Sequence, residues 1–459
     1  MRNEWNGYED LGAFLKYLKD KDDLITIDHE VDPRLEIGQV LKVLGDLQGP
    51  AALFTNVRRF PGRRIVGNVL GHRRRVAEAL GTDEANLTSA FIDRVTQRIL
   101  PVLVEDGQVK EVVIKGSRID LTELLPALTH HEKDATPYLT CAVTFARDPE
   151  TGSQSMGLHR IQILSESTMT ICLASPPLAD FLNRAIAMGR DLEVAVALGT
   201  DPGTLIASVV WCPAGVDKIE VAGALNQQAV KMTRGETVDV TVPSQAQYVI
   251  EGVIHPHELA NEAGFGETSG VYVRDVMSPV IHVTAFSHRD EPLFQGLQTW
   301  SAEDHELLDL CFGSKMLQDV RQIFPFVLDI CLARGTCASQ ANVRVAPTTD
   351  AQIRAAMCYI LCANPFIKSV VVVDEDIDLR NPEEIQWALA TRFQADRDLV
   401  VLPNLQGSVI DPSAGPSATT CKTGLNATYP EEKKAEFERI DVPREVKERA
   451  LKLVAEYFS

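Results

Sequence analysis

Ser155-Met156-Gly157-Leu158-His159-Arg160-Ile161-Gln162-Ile163 decides how the middle of this chain is read. Side chains alternate across a strand, so Arg160 and Gln162 share one face and Ile161 and Ile163 the other. An arginine on a mostly apolar strand is costly unless an acid pairs with it. Its planar guanidinium suits bidentate contact with a carboxylate, whether a ligand's or a glutamate's. A structural salt bridge would satisfy it equally. His159 is expected on the opposite face, as a packed or surface histidine. Further β-rich runs lie at 140–145, 168–173, 193–198, 238–242 and 280–286, with a helix at 177–187 between them. Turn residues bound these runs, and the pattern predicts a β-barrel-like domain with inserted helices over 121–300.

The acid that Arg160 needs is sought in Asn261-Glu262-Ala263-Gly264-Phe265-Gly266-Glu267-Thr268-Ser269-Gly270. Carboxylates five apart do not share a helix face, and three glycines oppose a helix in any case. A glycine-rich loop can fold both acids towards one point and let a planar ligand approach the backbone. Two close carboxylates raise one pKa, which keeps a proton in place for general acid work. An isolated pair at this spacing is more often two solvated loop residues. Cys421-Lys422-Thr423-Gly424-Leu425-Asn426-Ala427-Thr428 is a third candidate. Lysine among glycine and hydroxyl residues suits a phosphate, although such loops are also common turns.

Outward from this centre, residues 1–120 mix short elements: helices at 11–18, 35–47 and 74–80, strands at 24–27 and 64–69. His72-Arg73-Arg74-Arg75 is the most basic spot in that half and is expected to be a solvated helix start. A long helix over 303–323 would connect the barrel to an α/β unit at 326–459. There the expected elements are helices at 350–362 and 382–390, buried strands at 369–373 and 398–402, and a terminal amphipathic helix at 443–458. That last helix either folds back or crosses to a second subunit.

The 459 residues are 45% hydrophobic and 24% charged, with a formal net charge of −19. Such a chain buries a sizeable core over two to four domains, and its surface repels nucleic acid phosphates. No apolar run reaches membrane-spanning length, and the first residues lack a basic stretch followed by an apolar one. The nine cysteines include no CxxC pair, which fits free thiols in a cytoplasmic protein. Cys358 and Cys362 are expected to be buried as small apolar residues.

Over nearly its full length the chain resembles the UbiD family of reversible decarboxylases. The similar strings are Leu125-Pro126 with His130-His131-Glu132-Lys133-Asp134-Ala135, and Arg147-Asp148-Pro149-Glu150-Thr151-Gly152. Gly157-Leu158-His159-Arg160-Ile161-Gln162 matches a GxYRxQ strand, with His159 in place of tyrosine. Val249-Ile250-Glu251-Gly252 followed by Glu262–Glu267 matches an EGxxGE region, and Lys422 with 424–428 a KxGIDAT loop. Residues 374–378, 388–394 and 396–398 resemble the family's C-terminal part.

The resemblance implies a multidomain α/β (α+β) architecture. An N-terminal α/β domain (1–120) would precede a split β-barrel that binds flavin (121–300). A linker helix (301–325) and a C-terminal oligomerisation domain (326–459) would follow, the last assembling a homodimer or a dimer-based homohexamer. It implies prenylated FMN, supplied by a flavin prenyltransferase, as the electron sink for release of carbon dioxide from an aromatic, heteroaromatic or α,β-unsaturated acid. Carried over by position, Glu267 would be the proton donor, and Arg160 and Glu262 the ion pair that orients the substrate. Ser155, Met156, Gly157, Leu158, His159, Gln162, Ser175, Pro176, Lys218 and Lys422 would surround the cofactor, with residues 286–297 as a further wall. The family's divalent metal, manganese or magnesium, uses an asparagine, a histidine and a glutamate. Here those positions fall on Ser155, on Ser175 or Pro176, and on Lys218, so no protein-held metal is expected and the Lys218 ammonium would take its place. Potassium is compatible with the same site. Two alternatives remain on the sequence: a noncatalytic or assembly subunit of a carboxylase complex, and an FMN-dependent oxidoreductase on the same barrel.

Overall fold

The computed structural model describes residues 5–173, 175–213, 215–430 and 435–458. Six antiparallel strands form the centre, in the order Tyr248–Glu262, Leu192–Leu198, Tyr138–Arg147, Gln154–Ile163, Thr168–Ile171 and Val276–His288. Pairing of Tyr248–Glu262 with Val276–His288 closes them into a barrel. Alternation along the strands divides the burial between two cores. Val143, Phe145, Met156 and Leu158 face the core shared with the N-terminal helices, while Ala142, Ala146, Ile161 and Ile163 face the other.

The N-terminal segment folds as expected. Leu11, Phe14, Leu15 and Leu18 form the buried stripe of the helix Leu11–Asp20, whose cap is Asp10 accepting from Ala13 N. The strands Leu24–Ile27, Ala51–Phe54 and Arg64–Gly67 make a sheet completed by Leu293–Gln295 from beyond the barrel. Conversely, Val112–Lys115 joins the barrel sheet. The basic cluster starts the helix Arg73–Ala79 as expected, with Arg74 still partly exposed, but it is not solvated throughout. Arg75 is fully buried and its Nη1 lies 3.0 Å from Asp23, while Arg73 reaches Asp309 of the linker at 3.3 Å. Acids brought in from distant segments override the local pattern there, and removing Asp23 would strand a buried cation at a cost of about 3–5 kcal/mol.

The linker is helical over Ala302–Leu308 and Ser314–Ile323, with a π-turn at Asp309–Gly313 between them. It leads to a sheet ordered Val327–Leu332, Gln340–Val345, Ser369–Val373, Thr419–Ala427, Leu399–Gln406. Several sequence expectations change here and in the barrel. Residues 398–402 are not a buried strand: Leu399–Gln406 is the sheet edge, with Val401 51% exposed. Residues 238–242 read as a strand, yet only Thr241–Pro243 pairs; Val238 and Val240 bury in a turn closed by Gly235 N donating to Val240 O. Residues 421–428 lie mostly on the strand Thr419–Ala427 rather than in a loop. All nine cysteines are unbridged, and Cys362 is exposed rather than buried. The terminal helix Arg444–Phe458 does not fold back, since each residue from 444 to 457 is exposed. Among the described residues no helix is long and apolar enough to cross a membrane.

Candidate active site

Arg160 is held between the two acids. Its Nε donates to Glu262 Oε1 at 2.6 Å, Nη2 to Glu262 Oε2 at 3.3 Å, and Nη1 to Glu267 Oε2. Glu262 closes the long strand Tyr248–Glu262, so it is part of the barrel and not of a loop. Ser278 Oγ also donates to Glu262 Oε2 at 2.9 Å, which leaves that side chain fully engaged and 2% exposed. Phe265 presents its ring to the guanidinium at 5.3 Å. Burial works against the Arg160 charge, but the hydrogen bond to Glu262 and the field of both acids outweigh it and raise its pKa. The two acids thus meet a cation, where the sequence suggested they would face each other.

Glu267 belongs to a tongue that folds back through pairing of Phe265–Gly266 with Tyr272–Val273. Asp134 clamps it: Oδ1 accepts from Gly266 N at 2.9 Å, and Oδ2 from His130 N and His131 N at 3.1 and 2.8 Å. A Cβ at Gly266 would lie 2.2 Å from His131 Nδ1, so the close approach requires glycine. Tyr138 OH donates to Ala263 O at 3.1 Å on the other side. Thr268, next to Glu267, donates its hydroxyl to Asp304, which also accepts from Trp300 N at 3.0 Å. Burial pushes the Asp304 carboxyl up to about 6, and neighbouring Glu267 adds to the shift. Asp304 escaped the sequence reading. It sits in an ordinary helix start, and nothing local marks it as a neighbour of residue 268.

Two residues before Arg160, the same strand borders a cavity of about 300 Å³, within the size range of small-molecule pockets. It lies between the barrel, the linker helix and the C-terminal sheet. Gly157, Leu158, Ser175, Pro176 and Lys218 line it, as does Thr268 beside Glu267. Trp211, Phe312, Met316 and Phe366 supply apolar walls that no sequence motif identified. Residues 286–297 do not line it. Ser155 and Met156 lie behind the wall: Ser155 Oγ donates to Val216 O at 3.3 Å, and Met156 is in the core. Gln162 is buried and accepts from Thr170. His159 is buried behind the strand with Nδ1 3.0 Å from Cys172 O, and its Nε2 has no partner and stands over Gly157. Burial, with nearby Lys218, lowers its pKa to about 4, so the ring is neutral. Lys422 is not brought to the cavity wall. Its ammonium donates to Leu361 O and Asn364 O at 2.9 and 2.7 Å, closing the end of the helix Asp350–Ala363.

The residues at the expected metal positions do not fit a divalent cation. Two hydroxyl side chains, a proline and an ammonium offer neither a carboxylate nor an imidazole. Among the described residues the one metal-like group is His255, Glu258 and His282 at the barrel surface. An elongated ligand with an apolar ring system and an anionic tail does fit the cavity, since its walls are mostly apolar and Lys218 is the one charged side chain among the described residues that line it.

Family models for the 3-octaprenyl-4-hydroxybenzoate carboxy-lyase N-terminal, Rift-related and C-terminal domains match residues 15–95, 102–301 and 311–427. The chain belongs to the UbiD family. Its UbiD relatives include an anhydromevalonate phosphate decarboxylase of Methanothermobacter thermautotrophicus, 33% identical over 76% of this chain and 83% of the relative. The Methanosarcina mazei protein of the same name is 29% identical over 94% and 99%. Among solved structures, the UbiD-class enzyme HmfF from Pelotomaculum thermopropionicum in complex with FMN superposes with a TM-score of 0.90. It is 34% identical, over 95% of this chain and 97% of that one. An evolved dimeric form of HmfF in complex with prFMN gives 0.86, at 33% identity over the same shares. The three-part α/β architecture and the closed barrel are therefore those of UbiD carboxy-lyases.

Proposed function

We propose that this protein is a reversible, non-oxidative carboxy-lyase that uses prenylated FMN on an aromatic, heteroaromatic or α,β-unsaturated carboxylic acid. The observation that carries the reading is Arg160 clasped by Glu262 and Glu267, next to an apolar cavity that Leu158 of the same strand and Thr268 of the same tongue line. Prenylated FMN, when bound, supplies the electron sink for the pair left by departing carbon dioxide. The rest falls to the chain. Leu158, Trp211, Phe312 and Met316 exclude water from the ring of the ligand. Glu262 is locked by three hydrogen bonds and fixes the Arg160 guanidinium, which orients the substrate carboxylate. Glu267 is the proton donor. It is the more open acid, 15% exposed against 2% for Glu262, and it rests on a tongue beside the cavity.

A flavin prenyltransferase would supply the cofactor. The terminal helix, exposed from 444 to 457 with Val446, Leu451 and Val454 at the surface, supports a homodimer or a hexamer built from dimers. Protein co-expressed with such a prenyltransferase should carry a flavin spectrum distinct from that of FMN. It should also exchange deuterium into the decarboxylated product of a suitable acid. A protein loaded with the cofactor that exchanges no deuterium with any cinnamate, furoate or hydroxybenzoate tested would end this reading.

A further inference from the structure

Lys218 is the first residue of the helix Lys218–Asn226 and is 5% exposed. A lysine buried this deeply normally has an acid beside it. This one does not. Its Nζ donates to Ser208 O at 3.0 Å, and the titratable groups that act on it are the thiols of Cys212 and Cys311, with no carboxylate among them. Asp217, the preceding residue, turns away to cap the helix through Ile219 N. Among the described residues lining the cavity, Lys218 is the one charged side chain, in a protein with a net charge of −19. Ser175 and Ser208 border the same end, and the unpartnered Nε2 of His159 is buried nearby. Burial lowers the Lys218 pKa, as expected of an ammonium without a counter-ion. An anion in the cavity would supply that counter-ion, whereas a divalent cation there would be repelled by it and would find no ligands.

We infer that Lys218 is a built-in counter-cation for the phosphate of the flavin and does the work that a protein-held divalent metal would otherwise do. The inference rests on the flavin reading proposed above, and it deepens it by assigning the anionic end of the site. It also orients the ligand. The phosphate lies at the Lys218 end and the ring towards Leu158, which places the reacting edge near Arg160, two residues further along the strand.

The test uses flavins that differ only in the phosphate. Apo protein is titrated with FMN and with riboflavin, following flavin fluorescence. A charge-assisted phosphate contact should make FMN bind about 10- to 100-fold tighter than riboflavin. Lys218→Met should bring FMN down to the riboflavin level and leave riboflavin unchanged. Lys218→Gln should do the same, and Lys218→Arg should keep most of the preference. EDTA should leave wild-type FMN affinity unchanged. That affinity is the readout, not metal content, because His255, Glu258 and His282 gather ligand atoms within 4.8 Å elsewhere on the barrel. Apo Lys218→Met should melt no lower than wild type, since an unpaired buried charge has been replaced by an apolar side chain of similar length. Retained FMN preference in the Met and Gln variants, or its loss with EDTA in wild type, would overturn the inference and leave the flavin reading intact. Failure of the wild type to bind either flavin would overturn both.

Discussion

Glu267→Gln and Glu262→Gln should separate chemistry from structure, although both remove one acid from the same arginine. Glu267 contributes one oxygen to Arg160 and the other to its neighbour Thr268 N at 2.8 Å. The glutamine oxygen can keep the Thr268 contact, and Arg160 retains its two-pronged grip on Glu262. The fold should therefore lose about 1 kcal/mol or less. Turnover should fall by about 10²- to 10⁴-fold, the share general acid catalysis contributes, while cofactor stays bound. Glu262 is different. It is 2% exposed and meets Arg160 Nε, Arg160 Nη2 and Ser278 Oγ. Neutralising it leaves a buried guanidinium with a single acid, and stability should fall by about 2–4 kcal/mol along with activity. Urea denaturation of the two apo variants, paired with deuterium exchange of the loaded enzymes, makes the comparison. Glu267→Gln with wild-type exchange would remove Glu267 from the donor role. Equal destabilisation by the two variants would refute the asymmetric grip on Arg160.

Glu303 is buried, accepts from Leu70 N at 2.8 Å, and is held up to about 7 by burial. It binds its proton more tightly folded than unfolded, so its contribution is full below its unfolded pKa and is lost as pH rises through about 7. Glu303→Gln should remove up to ~3 kcal/mol of the decline in stability between about pH 5 and 8, read by denaturation at each pH. Gly157→Ala would place a Cβ 2.5 Å from His159 Nε2 with Cys172 O holding the far side of the ring. It should cost about 1–3 kcal/mol and weaken FMN binding; an unchanged melting curve would show that the ring moves freely. Deleting residues 441–459 removes a helix exposed from 444 to 457, so sedimentation should show a smaller assembly while the remaining fold melts as before. An unchanged assembly would take the helix out of the subunit contact.

What was legible in the sequence was whatever a local pattern imposes. The stripe of Leu11, Phe14, Leu15 and Leu18 and the alternation around Arg160 each predict their element, because one buried face leaves one solution. Arg160 with Glu262 and Glu267 was legible in two steps: an arginine on an apolar strand demands an acid, and the resemblance to the UbiD family joined it to these two. Illegible was everything decided by chain brought from far away. Arg75 looked like a solvated helix start until Asp23, 52 positions earlier, buried it. Val401 belongs to an apolar run that ends up at a sheet edge, because its strand has a partner on one side alone. Asp304 reaches Thr268 only because the linker helix begins under the tongue. The same logic separates the two lysines chosen from the sequence. Lys422 is matched by carbonyls of its own domain, so its burial is explained without a ligand. Lys218 is buried as deeply, yet the domains around it supply one carbonyl and no acid. A residue whose charge the fold leaves uncompensated is the one that points to something outside the chain.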